Sequence, residues 1–167
     1  YKGLKAFVNA WDPDDVFADS VDVNKNPLGK ANKMTADDWY LSESFQIING
    51  AYQDSAFWKT KSDKMASYKA SVGTKMAVLT TTDSSPFDQD KWDYAYYSSV
   101  LYDFDAAGWG EENFSSVSAS LPWREKKPIL GTTYTSSITE DPTQIFSRST
   151  NVGILVDTAN HTVSYLL

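Results

Sequence analysis

D-D-W-Y-L-S-E-S-F-Q-I, residues Asp37–Ile47, has the composition of a β-strand interrupted by one acid. Trp39, Tyr40, Leu41, Phe45 and Ile47 suit a half-buried extended segment, read here as one strand from Trp39 to Ile47 that Asn49-Gly50 stops. Glu43 shares alternation parity with Leu41 and Phe45, which predicts a carboxylate on the apolar side of that strand. On the C-terminal side, the pattern from about Asp54 to Ser71 is helical, with Phe57, Trp58, Met65 and Tyr68 sharing a face and Gly73 as its stop. Thr74–Thr80 is strand-like, and Ser85-Pro86 opens a second helix through Trp92, Tyr97, Leu101 and Phe104, with Asp88 and Asp90 at its positive end. The run A-A-G-W-G-E-E-N-F then gives a short strand and a loop.

On the N-terminal side, Leu4–Ala10 is a short apolar run that enters the turn W-D-P-D-D. Val16–Ala18 are expected to form a short helix after Asp14 and Asp15, and V-D-V-N-K-N-P-L-G-K-A-N-K reads as a loop. Alternating strands and helices are βαβ grammar and predict an α/β fold of parallel strands with helical crossovers. Gly153–Tyr165 holds two alternating runs around a turn at Thr158–Asn160, a C-terminal β-hairpin. The expected organisation is a single domain, with β/α units over 1–127 and a hairpin tail over 128–167.

The 167 residues suffice for one ordinary core, and a 41% hydrophobic composition can fill it. A net charge of -7 has the wrong sign for a nucleic-acid backbone or an anionic membrane surface. No apolar run approaches the ~18 residues of a membrane span. With no cysteine, disulfide scaffolds and thiolate metal sites are excluded, and His161 as the only histidine leaves no His-rich metal site. Nothing in the sequence asks for a cofactor or a metal. Tyr1 is not an initiator methionine, so the chain is expected to begin inside something longer.

In parallel α/β sheets, ligand sites gather at the carboxyl ends of the strands. Those ends carry Asn9, Trp11 and Asp12 on the first strand, and Glu43 and Gln46 on the second. They carry Thr80, Thr81, Thr82 and Asp83 on the third, and Trp109, Glu111 and Glu112 on the fourth. Acids, amides, hydroxyls and indoles on one rim are the vocabulary of a carbohydrate site. A carboxyl partly desolvated beside Leu41 and Phe45 suits general acid–base work, while a strand-end glutamate paired with lysine or facing water explains the same pattern. Trp109, flanked by glycines, is the best ring platform; the other tryptophans, taken singly, read as core or rim packing. Asp14-Asp15 and Asp37-Asp38 read as caps or turns rather than calcium ligands, and His161 as a turn residue. Asn113-Phe114-Ser115 and Asn160-His161-Thr162 match the glycosylation acceptor pattern.

The succession F-V-N-A-W (Phe7–Trp11), D-W-Y-L-S-E-S-F (Asp38–Phe45), K-M-A-V-L-T-T-T (Lys75–Thr82), A-G-W-G-E-E-N-F-S-S-V (Ala107–Val117) and S-A-S-L-P-W (Ser118–Trp123) resembles a known family. It is similar to the later strands of the spherulin-4-like and polygalactosaminidase-like (β/α)8 glycoside hydrolases, over roughly Leu4 to Trp123. The resemblance implies a secreted or cell-surface hydrolase of amino-sugar-containing polysaccharide that uses one aspartate and one glutamate. Glu43 matches the family glutamate, and Asn9 matches the asparagine of an Asn-Pro-Gly turn that here reads Asn9-Ala10-Trp11. Trp11, Gln46, Thr81, Trp109 and Glu111 would line the groove. The family aspartate lies on a strand ahead of the asparagine strand, so the chain resembles the C-terminal half of a (β/α)8 barrel. A second chain or second copy would complete it. The rival expectation is a non-catalytic carbohydrate-binding or surface-interaction module.

Overall fold

Asp54 starts the first helix: its carboxylate accepts the Phe57 amide at 2.8 Å, and Gly73, at φ 77°, closes the helix in the left-handed conformation. The computed structural model describes residues 5–9, 35–82, 87–111, 123–125, 134–149 and 153–166. In it this helix is Ser55–Val72 (α1). The second helix, Gln89–Leu101 (α2), is capped by Asp88, which accepts the Asp90 and Lys91 amides. Asp88 therefore does the capping expected of Ser85, which lies outside the described residues, and Phe104 follows the helix rather than belonging to it.

Phe7–Asn9 (β1) and Trp39–Ser42 (β2) pair in parallel. The extended segment expected to reach Ile47 ends at Ser42. Ser44 (φ 55°) and Gln46 (φ 60°) take left-handed conformations that no strand continues through. Ile47–Ile48 (β3) and Ala51–Tyr52 (β4) then form a minimal hairpin, its two-residue turn being Asn49 (φ 50°) and Gly50 (φ 75°). Positive φ at both central positions is what such a turn requires, and Asn-Gly meets it at little cost.

Lys75–Thr82 (β5) and Ala106–Glu111 (β6) extend the sheet, so β1, β2, β5 and β6 run parallel and adjacent in chain order. Trp123–Glu125 (β7) adds to the far edge in the antiparallel sense, a pairing outside the purely parallel pattern expected. Register sorts the side chains by face. Tyr40, Met76, Val78, Ala107 and Trp109 join Trp58, Met65 and Trp92 of the two helices in one buried cluster. The other face carries Phe7, Asn9, Trp39, Leu41, Lys75 and Leu79, all exposed or half-exposed. Both described helices thus cover one side of a sheet whose strands advance in one direction.

Beyond the helices lies a third layer. Thr139–Glu140 (β8), Ile145–Ser149 (β9), Gly153–Asp157 (β10) and Thr162–Leu166 (β11) form an antiparallel sheet in the order β11-β10-β9-β8. The expected hairpin is β10 and β11, with residues 158–161 as its turn. Phe146, Ile154 and Val156 pack into the helix cluster, with the Phe146 ring 4.6 Å from that of Trp58. The tail therefore shares the core of the β/α units. No described helix is long and apolar enough to cross a membrane.

Candidate functional site

Asp38 locks the amino ends of three strands together. Its carboxylate accepts the Ala6 amide at 2.8 Å and both the amide and hydroxyl of Thr35, while its carbonyl accepts Thr74 Oγ1 and the Lys75 amide. These donors, the Ala6 amide foremost, hold the Asp38 carboxyl below the usual carboxylate range against the opposing effect of burial. With register fixed there, Asn9 lies opposite Leu41 at the carboxyl end, and Glu43 follows two residues on. The Asn9 side-chain amide donates to Glu43 Oε1 at 2.8 Å. The two residues meet at the carboxyl ends of adjacent parallel strands, on the face away from the helices; Asn9 is exposed and Glu43 half-buried.

The segment bearing Glu43 is anchored from beneath. Lys61, on the second turn of α1, donates to the carbonyls of Glu43 and Ser44 at 2.9 and 3.0 Å. The Phe45 amide bonds the Leu79 carbonyl, and the Ser44 and Thr81 hydroxyls bond each other at 3.0 Å. Thr81 also accepts the Asn49 amide at 3.3 Å, and its carbonyl accepts the Gly50 amide. Glu43 therefore projects from a pinned backbone, the arrangement that positions an acid without ordering cost at the moment of binding.

The expected site residues divide. Asn9 and Glu43 are brought together, and Thr81 sits beneath them as a buried staple of the segment. Gln46 is fully buried and turned toward α1, donating to the Trp58 carbonyl and to Ser62 Oγ at 2.9 Å. Its place just after the strand's carboxyl end predicted a rim position; the left-handed backbone at Ser44 and Gln46 and the bonds to α1 turn it inward instead. Trp109 does not offer open ring faces. It is buried on the helix side, edge-on to Phe87 with centroids 5.1 Å apart, because its parity in β6 matches that of Ala107. Glu111 ends β6 at the expected rim, its side chain being outside the described set. Trp11 lies outside the described residues, as do Asp12, Asp83 and Glu112.

Lys61 is the residue that sequence reasoning missed. Its signal was faint: one of several lysines on a helix whose polar face was assigned to solvent. His161 is a turn residue as expected, with its ring stacked on Tyr52 at 4.4 Å and 9°. Grooves also open elsewhere. One of about 670 Å³ runs between α1 and the C-terminal sheet past Lys69, Tyr102 and Arg148. A second, about 570 Å³, lies beside Tyr52 and His161. Neither includes Glu43. Lys69 and Arg148 are both engaged, Lys69 with Asp105 at 2.9 Å and Arg148 with the Leu101 carbonyl at 2.9 Å, so the larger groove is walled by groups already used to close the ends of elements. Among the described residues, no three His, Asp or Glu side chains gather closely enough to hold a metal ion.

What the Asn9–Glu43 pair can do chemically is limited and clear. A carboxyl with one oxygen held by an amide keeps the other available to accept a hydroxyl or to exchange a proton. No protein family, no curated protein and no solved structure matches this chain.

Proposed function

We propose that the chain is a glycoside hydrolase-like protein acting on amino-sugar-containing polysaccharide at the rim where Asn9 and Glu43 meet. Glu43 is the general acid/base, and Asn9 orients it. The observation that carries this reading is the 2.8 Å contact between an amide and a carboxylate at the carboxyl ends of neighbouring parallel strands, on the face away from the two described helices. That is where barrel glycosidases hold their carboxyls. Support also comes from the sheet itself, four parallel strands laid down in chain order with both described helices on one side, as in half of a (β/α)8 barrel. The reading takes the counterpart aspartate from a second chain or a second copy. A retaining mechanism sets the two carboxyls about 5–5.5 Å apart.

The antiparallel β7 favours a second reading. A strand of that sense on the edge of β6 occupies the line along which a parallel barrel closes. A domain that kept the rim and lost closure would bind saccharide without cleaving it. The two readings separate on one preparation. Incubation with amino-sugar polymers, followed by assay of new reducing ends and then of polymer binding by affinity electrophoresis, gives reducing ends for the hydrolase and retardation alone for the binding module. Neither signal, across acetylated and free-amine polymers, removes carbohydrate as the ligand class.

A further inference from the structure

The edges of the two main sheets are not equally protected. β8 is two residues long and carries Glu140, while β1 and β7 are three residues each. Short or charged edges resist pairing with other chains. β11 differs on both counts. Thr162–Leu166, T-V-S-Y-L, is five residues long, and from Thr158 to Leu167 the sequence holds no Asp, Glu, Lys, Arg or Pro. It pairs with β10 on one side, and its other edge pairs with no described residue. Tyr165 lies on the core side of that edge, stacked on Tyr97 of α2 at 5.5 Å yet 52% exposed. Val163, two residues back on the same face, packs partly against the core cluster. Among the described residues, the apolar layer under the last strand thus extends past it to a half-exposed Tyr165.

We propose that β11 is an interface between two copies of this chain, which pair it antiparallel about a two-fold axis through Ser164. Antiparallel pairing is self-complementary: Val163 of each copy lies opposite Tyr165 of the other, and Ser164 faces Ser164. Aromatic against β-branched is a favourable cross-strand pair. In a chain of net charge -7, most surfaces repel their own copies, and this uncharged stretch does not. The result is one eight-stranded sheet spanning both molecules, with Tyr165 covered. This interface is independent of any pairing that would complete a barrel, because it lies on the third layer, across the helices from Glu43. A single strand pair plus its rim is a small contact, so association is weak, with a dissociation constant roughly in the micromolar range.

Sedimentation velocity over a wide concentration range tests it. The parent protein is expected to shift from monomer to dimer. Ser164→Lys sets like charges opposite each other and weakens the dimer roughly two- to fivefold or more, with an unchanged melting temperature because Ser164 is exposed. Ser164→Asp does the same alone, and mixing the Lys and Asp variants restores a heterodimer. A parent that stays monomeric at several hundred micromolar overturns the proposal. So does a dimer that both charged variants form as well as the parent, which would put its interface elsewhere.

Discussion

Gln46 and Glu43 are three residues apart in one stretch and end in opposite surroundings, the first inside the core and the second on the rim. Two left-handed residues, Ser44 and Gln46, make the difference, and nothing in strand periodicity announces them. The sequence marked both residues for the rim; only the one that precedes the break went there. Gln46→Ala is therefore expected to act on stability, costing about 1–3 kcal/mol through the lost bonds to Trp58 and Ser62, with saccharide affinity unmoved. Denaturant melts alongside a binding assay check this, and an affinity loss without a stability loss contradicts it. The sequence read Asp38 as a cap or turn residue; it does close a turn on Thr35, while its reach to Ala6 is a tertiary contact no local pattern contains. Its carboxyl sits below the ordinary value in the fold, so its stabilisation is complete above the unfolded-state value near 3.8 and lost as pH falls through the folded one. Asp38→Asn is expected to cost about 1–2 kcal/mol at pH 7 and to flatten the fall in stability below about pH 4. An equal acid dependence in parent and variant would assign that fall to other carboxylates.

Helices were the most readable elements because their signals are local. Gly73 closes the first helix where the sequence placed its stop, while Asp88 caps the second in place of the Ser85 that the sequence offered. Strands were read well where alternation was strong, as in β10 and β11. They were missed in β9, where I-F-S-R-S offers two apolar residues at one end and polar ones after. The assignment of Trp109 as a platform failed at this scale: the ring is buried on the helix side, and Gly110 beside it lets β5 and β6 approach. A Cβ on Gly110 would come within 2.4 Å of the Thr80 carbonyl and 2.9 Å of the Leu79 side chain. Gly110→Ala is expected to cost about 1–3 kcal/mol by overpacking β5 against β6. Calorimetry reads this directly, and an unchanged melting temperature would mean the strands separate freely there.

On the scale of the molecule, the described residues build three layers on one core: a sheet, two helices and a second, antiparallel sheet, joined through Trp58, Phe146, Ile154 and Val156. The alternation of elements made the first two layers legible, since βαβ grammar and right-handed crossovers leave few arrangements. The docking of the tail across the helices was not legible, because it depends on which helix face stays apolar after the sheet is covered. The same geometry leaves the other face of the parallel sheet to the Asn9–Glu43 pair. The most direct measurement is reducing-end release from amino-sugar polymer by the protein, purified with any partner chain it retains, and by its Glu43→Gln variant. The account predicts release by the parent, and a loss of at least roughly 100-fold in the variant at equal thermal stability. Near-equal turnover by the two proteins would contradict it.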